Sequence, residues 1–122
     1  MNVLCVEQDR AKRRQLQKDM KEIVPGAQIT VCRDPDKAEA AAKAKSCDVL
    51  LTETFFDGFR LDGIMLAKDI QQMNPRVNII FVTEHADTTA ALDAWNLGAS
   101  AFLLRPYEKQ RLASAFANPR FA

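Results

Sequence analysis

One histidine, His85, and three cysteines, Cys5, Cys32 and Cys47, supply all the imidazole and thiol groups of this 122-residue chain. Their spacing matches no paired zinc motif, so a structural zinc site is not expected. An odd number of thiols without an export signal reads as reduced cytosolic cysteine rather than as a disulfide framework. Long apolar runs are missing too. The longest, Val77 to Val82, is interrupted by Asn78 and falls far short of the roughly 20 residues that span a bilayer. The stretch from Met1 to Glu7 turns acidic within a few residues and has no long apolar segment, so no secretory signal is expected and a soluble, cytoplasmic protein is. Charge of one sign is also lacking. Seventeen Lys and Arg oppose sixteen Asp and Glu, for a net +1, which leaves no overall attraction toward nucleic acid or an anionic membrane surface. Direct binding to either is not expected.

What is present is a globular composition, 48% hydrophobic and 27% charged, of a size for one core. Residues 1–117 read as a single domain and residues 118–122 as a C-terminal tail or linker stub. Apolar runs and helical patterns alternate along the whole length, the signature of strand-helix units around a parallel sheet. Val3 to Val6 is a short buried strand, followed by a helix from about Arg10 in which Leu16, Met20 and Ile23 recur at helical spacing. Pro25 and Gly26 end it. Ile29 to Cys32 is β-branched and strand-like, and Asp34-Pro35 offers an N-cap and first-turn proline to an Ala-rich helix over Ala38 to Ala44. Val49 to Leu51 forms a third strand, and a helix runs from about Asp62 through Ile70 until Asn74-Pro75 stops it. Val77 to Val82 is the fourth strand, Asp87 to Leu97 a helix closed by Gly98, and Ala101 to Leu104 the fifth strand. Pro106 then opens a last helix, Glu108 to Ala117. Five strands alternating with five helices predict an α/β fold, a doubly wound three-layer sandwich.

Ligands of such sheets bind beyond the carboxyl ends of the strands. The first strand delivers Glu7, Gln8 and Asp9 there, the third Thr52, Glu53 and Thr54, the fourth Thr83, Glu84 and His85, and the fifth Arg105 and Pro106. They converge if the first strand lies between the second and third.

These residues resemble a response-regulator receiver (CheY-like) domain, the phosphoryl-accepting module of two-component phosphorelay signalling, over essentially the whole chain. The matching segments are Val6-Glu7-Gln8-Asp9, Cys47-Asp48-Val49-Leu50-Leu51-Thr52-Glu53, Leu61-Asp62-Gly63, Phe81-Val82-Thr83, and Gly98 through Tyr107. The last is the most specific, with Arg105 alone replacing the family's lysine. The resemblance implies a flavodoxin-like strand order of 2-1-3-4-5. It also implies a phosphoacceptor aspartate where this chain has Glu53, and an acidic Mg²⁺ ligand where it has Gln8. A glutamate carries its oxygen one methylene further out, and in-line attack on a phosphoryl group depends on placement. Loss of one carboxylate weakens a Mg²⁺ site, leaving a weak or absent one at Glu7, Asp9 and Glu53. Thr83 matches the switch hydroxyl, Phe102 the switch aromatic, and Arg105 the phosphoryl-contacting lysine. An ion pair between Arg105 and Glu53 is expected as a permanent stand-in for the lysine–phosphoaspartate contact. The expected function is a degenerate, or pseudo-, receiver: a phosphorylation-independent protein-interaction switch, not an enzyme, with no cofactor beyond a weakened Mg²⁺ site.

Two alternatives stand beside it. One is a working response regulator that uses another carboxylate, such as Asp57. The other is a flavodoxin-like cofactor binder or small enzyme, against which stands an acidic Glu7-Gln8-Asp9-Arg10 turn without the Gly, Ser or Thr that cradles phosphate. Glu7 and Asp9 also suit capping of the first helix, and His85 reads as a surface loop residue. Lys12, Arg13, Arg14, Lys18 and Lys21 read as a solvated helix face that the resemblance makes a docking face for a histidine kinase or phosphotransfer protein. Leu92, Trp95 and Leu97, with Phe102 and Tyr107, build a face of helix four, strand five and helix five that the resemblance assigns to an effector domain or a homodimer; the other reading packs Trp95 in the core. Phe55, Phe56 and Phe59 lie in a loop about two residues longer than the family's, without its proline, and read as a lid or an apolar partner patch.

Overall fold

A computed structural model describes residues 1–85 and 87–117; the proposed tail, 118–122, lies outside the described residues. Five strands, β1 (Asn2–Val6), β2 (Gln28–Cys32), β3 (Val49–Thr52), β4 (Asn78–Thr83) and β5 (Ala101–Leu104), alternate with five helices, α1 (Arg10–Ile23), α2 (Pro35–Ala44), α3 (Gly63–Met73), α4 (Thr88–Leu97) and α5 (Lys109–Ala117). All strand pairs are parallel, in the order β2-β1-β3-β4-β5 that the resemblance implies.

Alternation along the strands divides the core in two. Leu4, Val6, Leu50, Ile79 and Phe81 pack with Ala38, Ala42, Ile64, Ala67, Ile70 and Ala94, from α2, α3 and α4. Val3, Cys5, Val49, Leu51, Ile80 and Val82 pack on the other face with Leu16, Met20, Leu112 and Ala115, from α1 and α5. The central strand β3 is buried at every position, as a parallel strand covered on both faces must be.

The helices start on aspartates. Asp9, Asp34, Asp62 and Asp87 each accept a backbone N–H from the first turn of α1, α2, α3 and α4, which satisfies donors the helix leaves open. Gly98 closes α4 at φ +93°, a conformation open to glycine at little cost. One boundary shifts, and one of two alternative readings falls. α5 begins at Lys109, one residue late, and Pro106 lies ahead of it in a cis peptide with Arg105. Trp95 is not a core residue: α4 buries only Ala94, and Trp95 and Leu92 are 60% and 57% exposed.

Candidate functional site

Backbone hydrogen bonds carry the sheet ladder past the strand ends and hold the site residues in place. The Glu7 N–H donates to the Cys32 carbonyl (3.1 Å), the Glu53 N–H to Val6 (3.2 Å), and the Arg105 N–H to Thr83 (2.7 Å). The loop behind Glu53 is held as tightly. The Gly63 N–H donates to the Thr54 carbonyl at 2.8 Å, and a Cβ on Gly63 would lie 1.8 Å from the Glu53 carbonyl oxygen. Only glycine lets α3 begin that close to the end of β3.

Glu53 is buried, and its Oε1 collects three donors: the Thr54 N–H (2.9 Å), the Thr54 hydroxyl (3.2 Å) and the Thr83 hydroxyl. Thr83 is fully buried, and its Oγ1 also accepts the His85 N–H at 3.0 Å. The one hydroxyl of Thr83 thus satisfies a backbone group and bonds to Glu53. Phe102 is half-buried against Phe81, with ring centroids 6.1 Å apart.

Arg105 does not pair with Glu53. Its Nη2 donates to Glu7 Oε1 at 3.2 Å, in an ion pair whose side chains are 10% and 5% exposed. Glu7 lies just past the end of β1 and presents Oε1 to the guanidinium, while Glu53 Oε1 faces the threonine hydroxyls. Glu7 Oε2 accepts the Asp9 N–H at 2.8 Å. Burial pushes the Glu7 carboxyl above its ordinary pKa, the Asp9 amide and Arg105 oppose that shift, and the Glu53 charge adds to it. Arg105 Nε is buried with no partner among the described residues. The guanidinium also lies 5.6 Å from the Tyr107 ring centroid. The Tyr107 hydroxyl donates to Asp19 at 2.5 Å, and burial and that bond push it well above the usual phenol range.

The remaining residues separate by role. Asp9 is exposed and caps α1 by accepting the Lys12 N–H at 2.9 Å, which holds its pKa below normal. Gln8 pairs with the backbone of Asp57: Nε2 donates to the Asp57 carbonyl at 2.7 Å, and the Asp57 N–H donates to Oε1 at 2.8 Å. Asp57 is exposed in the loop beyond the strand end. Lys12 pairs with Glu84, which raises the lysine pKa and lowers that of the carboxylate. Arg13 donates to the carbonyls of Glu7 and Gln8, so only Arg14, Lys18 and Lys21 of the basic group are fully exposed. The three loop phenylalanines part ways: Phe56 is in the core, Phe59 packs on its edge, and Phe55 is exposed with its ring 5.8 Å from His85, edge to face.

Two residues escape the sequence reading. Thr54 follows Glu53 directly at the strand end, but nothing in its type marks a second hydroxyl for the carboxylate. Asp19 sits between Leu16 and Met20 on the buried stripe of α1, and an acid in that stripe was the available signal.

The family described as the response regulator receiver domain matches this chain over residues 3–117. The chain is 34% identical over 83 residues to the DNA-binding transcriptional regulator NtrC of Salmonella typhimurium, covering 68% of this chain and 17% of that protein. It is 25% identical over 114 residues to the C4-dicarboxylate transport transcriptional regulatory protein DctD of Rhizobium meliloti, covering 93% and 24%. The chain thus spans less than a quarter of either relative's length. Among solved structures it is similar to the signal receiver domain of an HD domain-containing protein from Pseudomonas fluorescens Pf-5, at 22% identity and a TM-score of 0.86, covering 97% of this chain and 92% of that one.

Proposed function

The chain belongs to the response regulator receiver domain family, a family of two-component signalling domains, and we propose that within it this chain is a pseudo-receiver, a protein-interaction switch set by Glu53 without a phosphorylation cycle. The bonding of Glu53 Oε1 is the observation that supports this. In the family the switch hydroxyl turns toward a phosphoryl group on the acceptor aspartate; here the Thr83 hydroxyl already has a carboxylate oxygen as its partner, and Thr54 supplies two further donors. The extra methylene of glutamate supplies the reach. The same bonds fix the carboxylate through Oε1 with its oxygens one methylene beyond those of an aspartate, and in-line attack on a phosphoryl group depends on that placement. Arg105 is bound to Glu7 and takes no part in holding Glu53.

The partner is proposed to be a protein. The exposed Arg14, Lys18 and Lys21 of α1 suit an acidic face on a histidine kinase or phosphotransfer protein, and the α4 and β5 surface carrying Leu92 and Leu104 suits an effector domain or a second copy.

Intact-mass spectrometry after incubation with acetyl phosphate and Mg²⁺, with Glu53→Asp run beside the parent chain, tests the proposal. The parent is expected to gain no phosphoryl mass and the variant to gain one. A parent that is itself phosphorylated overturns the reading and makes this a phosphoaccepting regulator, with Asp57 the first residue to map. Glu53→Gln is expected to shift the amide resonances of Thr83 and Phe102. Unchanged resonances there mean that Glu53 disables the site without mimicking the phosphorylated state.

A further inference from the structure

The family implies a Mg²⁺ ion held where Glu7, Gln8, Asp9 and Glu53 meet, and the donor set does not fit one. Mg²⁺ requires near-octahedral oxygen ligands at roughly 2.0–2.1 Å and is usually held through one or two carboxylates that can turn toward it. Here Glu7 Oε1 receives Arg105 and Oε2 receives the Asp9 N–H. Asp9 Oδ1 caps α1, Glu53 Oε1 holds its three donors, and the single oxygen of Gln8 is bonded to the Asp57 N–H, which leaves Asp9 Oδ2 and Glu53 Oε2 as the side-chain oxygens of the set not engaged among the described residues. A guanidinium already stands on Glu7, and its charge would repel an incoming cation. Among the described residues no group of three His, Cys, Asp or Glu is arranged to hold a metal.

We propose that the side-chain amide of Gln8 does the work of that ion, tying the β1–α1 turn to the β3–α3 loop, and that the pocket is closed to Mg²⁺. Gln8 and Asp57 exchange two hydrogen bonds, at 2.7 and 2.8 Å across 49 residues of sequence. This is the two-bond ring that paired strands make, with one side supplied by a side chain. An aspartate at this position has no donor and is shorter, so it cannot close the ring. Gly58, at φ +81°, turns the chain immediately after Asp57, in a conformation that favours glycine. Without the clamp, nothing else in the hydrogen-bond set of the described residues joins Gln8 or Asp57 across these two loops. The inference rests on Gln8 and not on Glu53 resembling a phosphorylated aspartate, so either proposal can fail without the other.

Two measurements on the full chain decide it. The parent is titrated with Mg²⁺ to millimolar excess while Tm and the amide spectrum are followed, and Asp57 amide exchange is compared among the parent, Gln8→Ala and Gln8→Met. The methionine keeps the length but offers neither the amide donor nor the oxygen acceptor, and serves if the alanine variant folds poorly. The expected results are a Tm indifferent to Mg²⁺ and an Asp57 amide that exchanges about tenfold or more faster in the variants, as the loss of one or two hydrogen bonds predicts. A saturable Mg²⁺-dependent rise in the parent's Tm, or shifts confined to the amides of residues 7–9, overturns the closed pocket. Equal Asp57 exchange in parent and variants overturns the clamp.

Discussion

Two oxygens on Glu7 face opposite pressures, because burial penalises the charge while Arg105 and the Asp9 N–H favour it; burial wins, and the carboxyl titrates above its ordinary 4.5. A raised carboxyl pKa means that the folded state holds a proton the unfolded chain has released. Glu7 therefore favours folding least once it is ionised, and stability falls as pH rises from 4.5 through the raised folded value, by at most about 1.4 kcal/mol per pH unit. Asp9, Glu84 and Glu22, the last paired with Lys109, are shifted down, so what they contribute is present above their ordinary values and is lost as pH falls below them. The two windows lie on opposite sides of the ordinary carboxylate range. Glu7→Gln, which keeps acceptor and size, is expected to flatten the decline above 4.5 in urea denaturation series taken every half pH unit, and a decline that persists unchanged assigns it to another group. The identity of this residue was legible from its place after the first strand. Its attachment to Arg105 was not, because a cation past the fifth strand has carboxylates past both the first and the third to choose from, and only the placement of the backbone settles which.

The loop between β3 and α3 shows how little residue type says about an element without its path. Phe55 and Phe56 are neighbours of the same kind, yet Phe56 is 1% exposed and Phe55 54%. Phe56→Ala is expected to cost about 3–5 kcal/mol, the sum of lost burial and a residual cavity. Phe55→Ala should cost less than about 1 kcal/mol, which is what an exposed ring with one edge contact to His85 contributes. Chemical denaturation of the two variants separates them; similar losses would mean that the loop packs as one hydrophobic unit, lid-like, over the site. The helices were more readable, since an aspartate ahead of an apolar stripe is a local signal and four such caps are in place. Gly63 is an intermediate case: Asp62-Gly63 reads as a helix start, but that a Cβ there would strike the Glu53 carbonyl depends on how close α3 approaches β3.

At the scale of the molecule, two apolar layers sandwich a sheet whose central strand is inaccessible, and the three thiols lie inside it. Cys5, Cys32 and Cys47 are free and buried, and burial pushes the Cys5 thiol up to about 12. A thiol reagent at neutral pH is expected to label the native chain slowly, at a rate set by opening of the fold, and to titrate all three cysteines at once in denaturant. Rapid labelling of one cysteine in the native protein would show that its edge of the sheet opens locally. The order of strands and helices, the two-faced core and the set of residues delivered to one end of the sheet were determined by the sequence alone, because hydrophobic periodicity, caps and turn residues act over a few neighbours and a parallel sheet must put its strand ends together. Which of those residues touch was decided only by the tertiary structure. Glu53 with Thr83, Glu7 with Arg105, Gln8 with Asp57 and Tyr107 with Asp19 are 30, 98, 49 and 88 residues apart. At such separations the competition among several partners of matching charge and reach is resolved by a few ångströms of backbone placement, which no local pattern encodes.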